Sequence, residues 1–112
     1  MVKDKISFPD FEKLDLRVGR VNIAKTVEGS DRLVRMDVDF GSDYGIQAIF
    51  AGISRWYNPS EIQGKSFIFV TNLIPKKMMG EESHGMMLCA DTGEKAVILP
   101  VSDDLTPGTV VR

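Results

Sequence analysis

Histidine, cysteine and tryptophan each occur once in these 112 residues, as His84, Cys89 and Trp56. A single cysteine excludes an internal disulfide and suits a reducing compartment, so a cytoplasmic location is expected. Cys89 lies in the apolar run Met86-Met87-Leu88-Cys89-Ala90, where a buried, unreactive thiol is the expectation. One histidine and one such cysteine do not make a Cys/His metal site or an activated nucleophile. G-x-S-x-G, P-loop, H-E-x-x-H and C-x-x-C spacings are all missing. Asp37 and Asp39 share a strand face with no acid/base partner nearby. No catalytic residue, metal or cofactor is therefore expected. No apolar run approaches the roughly 20 residues of a membrane helix, and the first residues do not read as a signal peptide. Basic excess is missing too. The formal net charge is −2, so contact with a polyanion would need a local cluster of cations.

What remains is ordinary globular material, 43% apolar and 27% charged, enough for one domain over residues 1–112 with a real core. Phe8, Phe11 and Leu14 fall on one face of a predicted helical turn over Ser7 to Leu14. So short a turn does not stand alone, and these side chains are expected to plug a barrel end or a partner subunit. In the next stretch, Leu16 and Val18 share one parity while Val21 and Ile23 share the other. That switch predicts a β-bulge at Gly19-Arg20 in a long first strand. Val34, Met36, Val38 and Phe40 alternate with charged residues, the pattern of a half-buried strand. A third strand is expected over Ile46 to Ala51. Asn58-Pro59-Ser60-Glu61 reads as a helix start, with Gly64 as the stop. Strands four and five are expected at Phe67 to Val70 and Met86 to Ala90, then a small hairpin and an edge strand at Thr109 to Arg112. The order predicts an all-β, five-stranded oligonucleotide-binding (OB) barrel, with a short helix between strands three and four and a C-terminal strand extension. A small sandwich or SH3-like barrel is the alternative.

Between strands four and five lies Asn72-Leu73-Ile74-Pro75-Lys76-Lys77-Met78-Met79-Gly80-Glu81-Glu82-Ser83-His84-Gly85-Met86. It has no clear strand or helix period, and so long a connection in a compact domain tends to be functional. Lys76 and Lys77 suit phosphates, with Arg32, Arg35, Arg55 and Lys25 around the same rim. Ser83 and Asn72 offer a hydroxyl and an amide for ribose or base edges, Gly85 permits close backbone approach, and Met86 is a polarisable surface for a base. Each has a plainer reading. Adjacent lysines are usually solvated, Met78, Met79 and Met86 serve equally as packing, His84 as a loop surface group, and Arg35, facing outward beside Asp37 and Asp39, as a member of a cross-strand salt bridge. Glu81-Glu82, beside the proposed contact, disfavours phosphate and has no evident role.

Taken together, Phe11-Glu12-Lys13-Leu14-Asp15-Leu16-Arg17-Val18-Gly19, Gly29-Ser30-Asp31-Arg32-Leu33, Asp37-Val38-Asp39-Phe40-Gly41, Ala51-Gly52-Ile53, Tyr57-Asn58-Pro59, Asn72 to Gly80 and Ser83-His84-Gly85-Met86 resemble one family over nearly the whole chain. It is the tRNA-binding domain found at the C-terminus of many methionyl-tRNA synthetases, in synthetase beta-subunit-like proteins and in free-standing tRNA-binding proteins. The resemblance implies an OB fold, tRNA bound by its structure, homodimers among stand-alone members, and an accessory role beside a methionyl-tRNA synthetase catalytic subunit. Its motif residues fall on Asn72, Pro75, Lys76, Ser83, Gly85 and Met86, with Ser83 and Met86 implied as the nearest RNA contacts. Two departures are the absence of an attached catalytic domain and the Glu81-Glu82 pair. The competing reading, from another class, is an export or folding chaperone of the same fold that binds unfolded polypeptide in an apolar groove.

Overall fold

The computed structural model describes all 112 residues. It contains one short helix, α1 (Phe8–Glu12), and ten strands: β1 (Leu16–Thr26), β2 (Val34–Asp39), β3 (Ile46–Ala51), β4 (Ser66–Val70), β5 (Lys76–Met78), β6 (Glu81–Ser83), β7 (Met86–Met87), β8 (Cys89–Asp91), β9 (Ala96–Ile98) and β10 (Val110–Val111). The main sheet is antiparallel in the order β3-β2-β1-β4-β7 and curls into an OB-like half-barrel, with β10 beside the start of β1. β5–β6 and β8–β9 are separate two-stranded hairpins.

The alternation read in β2 holds. Val34, Met36, Val38 and Phe40 are buried, and Phe40 meets Phe69 of β4 edge-on, ring centroids 5.3 Å apart. Truncating such a buried ring costs about 3–5 kcal/mol.

The bulge lies elsewhere than the parity switch suggests. Against β2 the register slips between Val21 and Ile23, at Asn22 rather than at Gly19-Arg20. Gly19 stays in ladder with Phe67 and faces the core, where a Cβ would stand 2.5 Å from Val38 and 2.6 Å from Phe40. Val18, on the opposite face, is also buried, where residues 108–111 run along the strand. Burial on both faces there mimicked a change of parity. Past the bulge Ala24 turns inward, and Ile23 is half exposed instead of buried.

The expected helix between β3 and β4 contracts to a single 3₁₀ turn, Pro59–Glu61. Its start is as read, since the Asn58 N–H donates to the Glu61 carboxylate at 2.7 Å. The chain then bends back at Gly64, whose N–H donates to the Val21 carbonyl, and at its φ of +82° no further turn forms. The fifth barrel strand is shorter than expected as well. It leaves the main sheet after Met87 and continues as β8 of the C-terminal hairpin. α1 forms with Ser7 as its N-cap, but it plugs no barrel end: Phe8 is 68% exposed and none of its residues is buried.

Candidate functional site

Residues 72–86 are built rather than loose. The Asn72 side chain spans two chain segments, accepting from the Asp15 N–H at 2.8 Å and donating to the Lys13 carbonyl at 2.6 Å. It thereby ties the α1–β1 connection to the end of β4, and both ends of its amide are occupied within the protein.

Beyond Pro75 the chain forms the β5–β6 hairpin, with Lys76 opposite Ser83, Lys77 opposite Glu82 and Met78 opposite Glu81. The turn residues Met79 and Gly80 both have positive φ, +50° and +82°. That is the mirror-image geometry that suits the twist of a two-residue hairpin. Only glycine adopts it freely, and Met79 is the one non-glycine residue in the chain with positive φ. Its side chain is largely exposed at the turn rather than packed, whereas Met78 is half-buried.

The two glutamates, without an evident role in the sequence, have distinct positions. Glu82 faces Lys77 across the hairpin. Glu81 receives both faces of the Arg35 fork, Nε to Oε1 at 2.9 Å and Nη2 to Oε2 at 2.7 Å, while Arg35 Nη1 reaches Asp37 at 2.8 Å. The paired, planar geometry is the strong form of this interaction. The hydrogen bonds from Arg35 hold the Glu81 carboxyl below its ordinary range. Arg35 thus pairs with Asp37 within its own strand, and its cross-strand salt bridge goes to Glu81, anchoring the hairpin to β2.

After the hairpin the chain seals the open side of the barrel. The His84 N–H donates to the Ala48 carbonyl of β3 at 3.0 Å. Two residues along β3, the Phe50 N–H donates to the Ser83 hydroxyl, also at 3.0 Å, and that hydroxyl donates to the Gly85 carbonyl. Ser83 is only 5% exposed. Gly85 is tight for the same reason: a Cβ there would stand 2.6 Å from the Val70 carbonyl of β4. These residues form the seam between β3 and β7.

Met86 follows immediately and is 54% exposed. With Leu73, Ile74, Met78, Phe50 and Ile53 it lines an apolar groove of about 460 Å³, and Lys76 stands at the same groove. Cys89 is half-buried in its wall, its thiol pushed up by burial, as befits an unreactive group. The structure therefore divides the residues singled out in the sequence. Lys76, Lys77 and Met86 present exposed side chains along the hairpin and groove. Asn72, Ser83 and Gly85 are engaged inside the fold. Arg32 and Arg55 are exposed on two loops joined by hydrogen bonds from the Ser54 N–H to the Arg32 carbonyl and from the Ser54 hydroxyl to the Asp31 carbonyl. Sequence reasoning missed Leu73, Ile74 and Glu81. The 92% exposure of Ile74 follows from no local pattern, although two aliphatic residues before Pro75 were a signal.

Residues 16–110 match the family of the putative tRNA binding domain. A methionine–tRNA ligase of Archaeoglobus fulgidus is 42% identical over 109 residues, which is 97% of this chain and 16% of the ligase. The chain thus spans about a sixth of the length of that relative. Among solved structures, a MetRS-related protein from Pyrococcus horikoshii superposes with a TM-score of 0.92 at 35% identity, covering 98% of this chain and all of that one. The chaperone CsaA from Bacillus anthracis superposes with a TM-score of 0.85 at 30% identity, over 97% of this chain and all of CsaA.

Proposed function

The chain belongs to the tRNA-binding domain family, and from that premise we propose that it binds tRNA as an accessory to a methionyl-tRNA synthetase, with no catalytic site of its own. The observation that carries this is the juxtaposition of exposed Lys76 and Lys77 with an apolar groove edged by Met86, on one side of an OB-like barrel. Cations meet phosphates while the groove accepts an unstacked base, a combination typical of OB-fold surfaces. Stacking aromatics are few, since Trp56 is the only tryptophan, so recognition follows the shape and backbone of folded RNA. Asn72, Ser83 and Gly85 support the site by holding its frame, and Arg32 and Arg55 extend the rim. The working form is a cytoplasmic homodimer. The apolar face of α1 is uncovered, and with Leu14, Val110 and Val111 it lines a second groove of about 440 Å³. A second copy seated there would double a footprint that is weak alone.

A double substitution of Lys76→Gln and Lys77→Gln tests the site. Binding to bulk tRNA should weaken, and its log–log salt slope should shrink by roughly 0.7 to 0.9 for each phosphate that is no longer neutralised. Unchanged affinity and slope would remove the hairpin lysines from the interface.

One observation favours a second reading. The groove is predominantly apolar, and one protein of this fold carries the name chaperone CsaA. Unfolded polypeptide bound there would hold on, or bind better, as salt rises, the reverse of tRNA.

A further inference from the structure

On the reading that this face binds tRNA, the ion pair that closes the hairpin acquires a second role. Arg35 of β2 stands directly opposite Lys25 of β1 in the ladder, on the outer face of the sheet. Two like charges directly opposed destabilise a strand pair unless an anion is shared between them. Asp37 supplies part of that compensation from Arg35's own strand, and Glu81, reaching over from the hairpin, supplies the rest. Lys25, opposite Arg35, adds a weaker attraction for the Glu81 carboxylate. Its carboxylate has both oxygens engaged by Arg35 as phosphate oxygens would be by the same fork.

We infer that Glu81 is a built-in competitor for RNA phosphate: in the free protein it occupies the Arg35 guanidinium, and bound RNA displaces it, freeing the hairpin from β2. The geometry suits exchange. The Glu81 side chain is 46% exposed, so a ligand can reach the pair, and a phosphate offers Arg35 the same two-oxygen contact, so the exchange gives up no hydrogen bond. The hairpin keeps its attachment at the other end through Ser83 and His84, so loss of the ion pair loosens it without unfolding it. Lys76 stays opposite the anchored Ser83, and Lys77 lies nearer the freed turn.

The test compares wild type, Glu81→Gln, Arg35→Gln and the double variant for binding to bulk tRNA and to inorganic polyphosphate at low salt. Glu81→Gln should bind both polyanions roughly three- to tenfold more tightly while lowering thermal stability slightly, and most of that gain should vanish when Arg35 is also replaced, whereas the loss of one acidic charge acting through the general field would persist without Arg35. Arg35→Gln should weaken wild-type binding less than it weakens binding in the Glu81→Gln background, where the cost is several-fold, because in wild type the lost phosphate partner is offset by an ion pair that no longer has to be broken. A wild type that binds tRNA, with Glu81→Gln binding no tighter, overturns the competitor role alone. If neither protein forms a tRNA complex at low salt, the tRNA reading fails and the competitor role falls with it.

Discussion

Ser83 and Met86 lie three residues apart, and the resemblance to tRNA-binding domains treats them alike; their surroundings do not. The Ser83 hydroxyl is the acceptor for the Phe50 N–H at a seam with few other bonds, in a buried position. Ser83→Ala leaves that N–H unpaired and should cost about 1–3 kcal/mol of stability, read as a lower midpoint in thermal or urea unfolding. Met86 is exposed at the groove and contributes little to the fold. Met86→Ala should therefore weaken tRNA binding several-fold with an unfolding midpoint close to that of wild type. Equal loss of stability in both variants would place Met86 in the frame, and unchanged tRNA binding by Met86→Ala would remove it from the interface. The difference was not legible in the sequence, because the partner of Ser83 lies in β3, more than thirty residues earlier in the chain, and the groove at Met86 is assembled from several separate segments. Asn72 was hidden in the same way: its amide matched an RNA contact by type, but Asp15 and Lys13 occupy it.

At the scale of elements, patterns that repeat within one segment were readable. The alternation of β2, the Asn58-Pro59 start of the 3₁₀ turn and the Phe8–Phe11 face of α1 each express a local rule, and each appears in the structure. The β5–β6 hairpin was not readable. Its turn is Met79-Gly80 rather than the Asn-Gly or Asp-Gly that marks this geometry, and its best anchor is an ion pair between residues 46 apart in sequence. The bulge at Asn22 was misplaced because residues from the far end of the chain bury β1 at Val18. The turn also yields a prediction. A methionine is strained at a φ of +50°, and asparagine tolerates that region better, while the exposed Met79 side chain contributes little packing. Met79→Asn should stabilise the protein by about 0.5 kcal/mol, seen as slower hydrogen exchange across the hairpin. Faster exchange there would show that the Met79 contact over Gly29 outweighs the backbone strain.

For the molecule as a whole, the OB-like half-barrel leaves two grooves open, a mainly apolar one at the hairpin and one of mixed polarity between α1 and β10. They share no lining residue, and on the proposed reading the first takes ligand and the second a second copy. Light scattering at micromolar concentration should find twice the 12.4 kDa chain mass, and Phe8→Asp should return it to a single chain without unfolding the barrel, because Phe8 is not part of the core. A single-chain mass for wild type would leave the α1 face without its proposed partner. The net charge of −2 means that any attraction for RNA must come from the local arrangement of Lys76, Lys77 and their neighbours. The most direct measurement is therefore a salt titration of the purified protein with bulk tRNA, run beside the same titration with a denatured polypeptide. A tRNA complex that forms at low salt and weakens steeply as salt rises, with no comparable polypeptide complex, is the expected result. Absence of a tRNA complex at low salt, with polypeptide binding that holds or strengthens at high salt, would contradict it.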